Sequence, residues 1–95
     1  MSNKNDEQLE PINIINEKTK IVGTMLNNKV HGDLSIETEG NTMIIPFING
    51  KINGKMLLND KDYIIMENGI LNGESYINGM KLMFENGILK KKDVV

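Results

Sequence analysis

The sequence predicts an all-β fold, an antiparallel meander of about eight short strands. Three observations carry that prediction. Short runs of Ile, Val, Met, Leu and Phe alternate with Asn-Gly or acidic turns roughly every ten residues. The chain has no Ala and carries 9 Gly, a composition that works against helices. One eight-residue segment recurs four times without gaps.

Residues 1–10 are polar and mixed in charge and read as a disordered tail, so the ordered domain is expected over 11–95. Strands are expected near Ile12–Ile15, Lys20–Leu26, Asp33–Glu37, Thr42–Ile48, Lys55–Leu58, Tyr63–Glu67, Glu74–Ile77 and Met80–Glu85. Asn78-Gly79, between Ile77 and Met80, is the strongest two-residue hairpin signal. Pro46, inside the most apolar run, reads as protection against edge-to-edge pairing.

The repeat spans Met25–Gly32, Phe47–Gly54, Met66–Gly73 and Phe84–Lys91. Its shared Asn stands at positions 27, 49, 68 and 86, in steps of 22, 19 and 18 residues. We expect the shrinkage to lie in the opposite turns, from Glu37–Asn41 through Asn59–Asp62 to Asn78-Gly79. The residue after each shared Asn needs a positive φ, which suits Gly50, Gly69 and Gly87, and Asn28 is the substitute that costs least.

Residues two apart on a strand share a face. Met25, Phe47, Met66 and Phe84 form one apolar column. Gly23, Ile45, Ile64 and Leu82 form the next, apolar after its first member. Val30, Ile52, Leu71 and Leu89 should tuck the connecting loops onto the same side. Leu34 and Ile36, Met56 and Leu58, and Ser75 and Ile77 extend it. Ile44, Ile65 and Met83 fall on the opposite face. A single sheet with one apolar face must fold over into a small sandwich, form a homodimer, or receive a partner.

Ninety-five residues make one domain with a thin core. With no Cys, disulfides and thiolate zinc sites are excluded. No signal peptide is read in the first residues and no apolar run is long enough to span a bilayer, so a cytoplasmic location is expected. The net charge of −2 and the absence of Arg argue against specific nucleic-acid binding.

The Asn49-Gly50-Lys51-Ile52-Asn53-Gly54 and Asn68-Gly69-Ile70-Leu71-Asn72-Gly73 units, with Asn86-Gly87 opening a truncated copy, resemble the MORN repeat family. The likeness is to its bacterial antitoxin-type variant with an N-G-x-x-x-G core, and covers roughly residues 20–91. Strand positions that are aromatic in the family hold Met, Ile and Leu here, with Phe47 and Phe84 the nearest equivalents. The resemblance implies a β-hairpin array with a binding role and no catalytic residue.

The individual residues carry no catalytic pattern either. His31, the single His, aligns with Asn53 and Asn72 and reads as a turn residue. Asn59-Asp60-Lys61-Asp62 is too short for a calcium loop and reads as an acidic turn. No nucleophile elbow and no phosphate-binding loop occurs. We therefore assign no catalytic, metal-binding or cofactor-binding residue.

Charge is segregated between the two turn edges. Glu17, Glu37, Glu39, Asp60 and Asp62 line one, while Lys29, Lys51, Lys90, Lys91 and Lys92 line the other. The acidic edge suits docking onto a basic protein surface. Six of the 7 Met fall in or beside strands, where Met serves adaptable packing and binding. Glu37, Glu39, Asp60, Asp62 and Met83 are the expected partner-binding residues. The expected function is a small protein-binding module that inhibits or neutralises a partner, as an antitoxin, immunity protein or phage-encoded inhibitor would. The alternative is a structural or membrane-surface module acting through its lysines.

Overall fold

The computed structural model describes residues 9–94 and contains no helix among them. Twelve antiparallel strands form one sheet that does not close into a barrel. They are β1 (Leu9–Ile15), β2 (Lys20–Leu26), β3 (Lys29–Val30), β4 (Gly32–Thr38), β5 (Asn41–Ile48) and β6 (Lys51–Ile52). The second half comprises β7 (Gly54–Leu58), β8 (Asp62–Glu67), β9 (Ile70–Leu71), β10 (Gly73–Ile77), β11 (Met80–Glu85) and β12 (Ile88–Val94). The main path is β1-β2-β4-β5-β7-β8-β10-β11-β12, every neighbour adjacent in the meander.

All eight expected strands are present. Three of the added ones, β3, β6 and β9, are two-residue continuations after the Asn-Gly turns, and the fourth is β12. Leu9 and Glu10, expected in the tail, belong to β1 and pair with Leu26 and Met25. The rest of that tail, residues 1–8, lies outside the described residues. Among the described residues the sheet has no second layer, so they form no small sandwich.

Each Asn-Gly turn takes positive φ at both central residues, as in Asn49 (49°) and Gly50 (84°). That is the twist-matched turn of two-residue hairpins. Asn therefore holds its column because it tolerates the left-handed region, as Gly does in the next column. Past the turns at Asn27, Asn49 and Asn68 the returning strand carries two extra residues relative to its partner, and past Asn86-Gly87 it carries one. Phe47 faces Ile52, while further along Met43 faces Leu58. The bulge between them is closed by Asn53 N–H donating to the Pro46 carbonyl at 2.9 Å. His31 to Thr24 (3.0 Å) and Asn72 to Ile65 (3.2 Å) repeat the bond. The last Gly of the motif sits at this bulge. Gly54 has a φ of 126°, and a Cβ there would lie 3.2 Å from Pro46 Cγ.

The expected origin of the shortening period needs correction. β4 extends to Thr38 and β5 starts at Asn41, leaving only two residues in the turn. The β4–β5 hairpin has seven paired positions and the β7–β8 hairpin five, so the first shortening lies mainly in the arms. Glu37 and Thr38 resemble turn residues in composition, but they pair with Thr42 and Asn41.

Register places the repeat columns on one face. The first face carries Ile12, Ile21, Met25, Leu34, Ile36, Ile45, Phe47, Met56, Leu58, Ile64, Met66, Leu82 and Phe84. Val30, Ile52 and Leu71 join them through pairing to Met25, Phe47 and Met66. Gly23 leaves room for Leu34, whose Cδ1 approaches to 2.7 Å of where a Cβ would be. The charged strand residues of this face are Glu10, Asp62 and Lys92, all toward its margins. Among the described residues only Ile45, at 8% exposure, is a buried hydrophobic, and only Ser75, at 0%, is a buried polar residue. Pro46 stands on an interior strand between β4 and β7, so it does not blunt a sheet edge.

Candidate protein-interaction surface

The turns alternate between two edges of the sheet. One edge holds residues 16–19, 39–40, 59–61 and 78–79, and the other holds the four Asn-Gly-type turns. On the second edge the turns are bonded in series. Gly50 N–H donates to the Val30 carbonyl at 2.8 Å, Gly69 to Ile52 at 2.7 Å and Gly87 to Leu71 at 2.7 Å. Side chains add to this. Asn49 N–H donates to His31 Nδ1 at 3.1 Å, and Asn86 N–H donates to Asn72 Oδ1 at 3.2 Å. His31 thus does the work of an Asn in its column.

On the acidic edge, Asn59 ties neighbouring turns together. Its N–H donates to the Thr42 carbonyl at 2.8 Å, and its Oδ1 accepts the Thr42 N–H at 2.7 Å. Asp62 Oδ1 accepts the Asn78 N–H at 3.2 Å. Glu37 is the penultimate residue of β4, Glu39 lies in the turn that follows, Asp60 lies in the next turn and Asp62 opens β8, so these four line one edge on adjacent turns. Glu39 lies 3.6 Å from Lys18, both largely exposed. Met83 stands apart from them. It lies within β11 on the second face, opposite Glu74 and Lys91, and is 42% exposed.

The expected lysine edge is divided. Lys29 and Lys51 follow the Asn-Gly-type turns, but Lys90, Lys91 and Lys92 belong to the outer strand β12. Lys90 lies 3.9 Å from Glu85 and Lys91 lies 3.7 Å from Asp93.

The second face holds a feature that the repeat analysis missed. Ile44, Leu57, Tyr63, Tyr76 and Lys81 stand in one register row across β5, β7, β8, β10 and β11. Tyr63 and Tyr76, the chain's two tyrosines, stack with centroids 6.1 Å apart and planes 25° apart. Lys55 Nζ lies 4.6 Å from the Tyr63 ring centroid. Tyr76 also lines a shallow depression of about 550 Å³ with Asn59, Lys61, Asp62, Asn78 and Gly79. The aromatic row therefore runs into the acidic edge at Asp62. Strand alternation held the signal, because Tyr76 lies between two first-face residues, Ser75 and Ile77.

Chemically, this surface offers flat amphipathic rings, two flanking lysines and a row of carboxylates. Rigid aromatic residues beside charged ones are the usual anchors of protein interfaces. Among the described residues, no group of three or more His, Cys, Asp or Glu is arranged to hold a metal ion. No helix among the described residues is long and apolar enough to cross a membrane.

Compared with models of known families, with curated proteins and with solved structures, the chain matches none.

Proposed function

We propose that this chain is a non-catalytic protein-binding module that inhibits or neutralises a partner protein, in the manner of an antitoxin, an immunity protein or a phage-encoded inhibitor. The observation that carries the reading is the stacked Tyr63–Tyr76 pair on an open sheet face, continuous with an acidic turn edge. The tyrosines anchor the contact and bury the most area per ordered side chain. Glu37, Glu39, Asp60 and Asp62 steer a basic partner and speed association. Met83, farther along the same face, adds adaptable apolar contact. The antitoxin-type repeat resemblance supports the same reading.

The test is affinity capture from the native host with the full chain and with a Tyr63→Ala/Tyr76→Ala double variant. The reading requires a stoichiometric protein that the wild type captures and inhibits and the double variant does not. Recovery of no such protein, or equal capture by both, would overturn it.

A further inference from the structure

The first face has an area, a composition and a charge arrangement that point to one occupant. We propose that two copies of this chain pack first face to first face, so that the sandwich absent among the described residues of one chain forms between two.

Between β2 and β11 the large apolar strand residues of this face are all half-buried or buried, and its polar strand residues there are Thr38, Asn41, Asp62 and Ser75. Ser75, the polar residue at its centre, is fully buried and its Oγ already accepts the Ile65 N–H. Covering the face therefore leaves that hydroxyl with its bond intact. On the second face, charged residues (Lys20, Asp33, Glu37, Lys55, Glu67, Glu74, Lys81 and Glu85) interrupt the apolar and aromatic ones, so it is the less continuous apolar surface of the two.

The scale also fits. The Cα envelope measures 55 × 34 × 14 Å, so its broad side is about twice the ~800 Å² per partner of a stable interface. Only one hydrophobic side chain is buried among the described residues, so the occupant must be constantly available. A second copy is present wherever the chain is made, and it covers the face once the chain's concentration exceeds the dimer Kd.

Charge selects the arrangement. Glu10 and Lys92 lie on this face at opposite outer strands, β1 and β12. A two-fold axis running along the strands, between the sheets, sets β1 of one copy over β12 of the other. Glu10 is level with Met25 and Lys92 with Leu82, one same-face step apart or about 7 Å along the strand. Two extended side chains span that gap. An axis across the strands would set β1 over β1 and β12 over β12, bringing like charges together.

Sedimentation and light scattering of the full chain should give twice the 10.7 kDa chain mass at micromolar concentration. Reversing one charge, Glu10→Lys or Lys92→Glu, alters both symmetry-related pairs and should weaken the dimer up to about thirtyfold, and the double reversal should restore it. Geometry is read with a short bis-maleimide, since the chain has no Cys. Glu10→Cys chains mixed with Lys92→Cys chains should cross-link, and neither variant alone should. A monomer throughout, or cross-linking of either variant alone as efficiently as the mixture, would overturn the proposal.

Discussion

The hydroxyl of Ser75 accepts the backbone N–H of Ile65 at 3.2 Å, across the bulge where β8 and β10 separate. The equivalent site one unit earlier is Pro46, which has no N–H to satisfy, and the residue equivalent to Ser75 there is the apolar Met56. The bulge turns this amide away from any ladder carbonyl. One unit supplies an acceptor and the other removes the donor.

Ser75→Ala should therefore cost about 1–3 kcal/mol, the penalty for a buried unpaired donor. Ser75→Met should cost at least as much alone and less when combined with Ile65→Pro, which copies the Pro46/Met56 pair. Urea unfolding of the four chains measures the coupling. Strict additivity would refute the assignment.

At the Asn-Gly turn, Gly50→Ala should destabilise by about 1–2 kcal/mol, because its φ of 84° is left-handed. Gly50→Asn should cost less, since Asn28 already occupies that place at 67°. Gly54→Ala should be the most damaging of the three, with both a φ of 126° and the Pro46 ring against it. Shifts in the denaturation midpoint give the order.

His31 acts as an acceptor for the next turn, through Nδ1. His31→Asn should leave stability within about 0.5 kcal/mol, because Asn72 Oδ1 makes the same bond in its unit. His31→Ala should lose about 1 kcal/mol. Equal losses in the two variants would contradict the role.

The two outer strands are protected differently. β12 carries Lys90, Lys91 and Lys92, while β1 exposes Leu9 at 61%, Ile14 at 55% and Ile15 at 64%, with Pro11 between them. Replacing the three lysines by Thr should increase aggregation on heating, followed by light scattering, because charge on an outer strand opposes sheet-to-sheet pairing.

The parts of the fold legible in the sequence are those set by local chemistry. Alternation assigned Ile45, Phe47, Ile64 and Met66 to one face, and register confirms it. Asn49-Gly50 and its equivalents marked the reversals. What stayed hidden depends on partners distant in the chain. The Lys90–Lys92 run has little strand character of its own and is a strand because β11 pairs with it. Thr38 and Asn41 read as turn residues until each is set opposite the other. For the candidate surface, the acidic edge follows from turn order alone. The tyrosine stack needed the pairing of β8 with β10, which the sequence does not state.

The bonds from Gly50, Gly69 and Gly87 each reach back by one unit and no further. The sheet therefore has a head and a tail with no seam joining them. Cohesion in such an array is a series of neighbour terms, smallest for a unit flanked on one side only. Loss of order should begin at β1 and β12 and travel inward, so amide exchange should slow steadily toward Ile45 and Ser75. The same property lets the array gain or lose a unit without rebuilding the others.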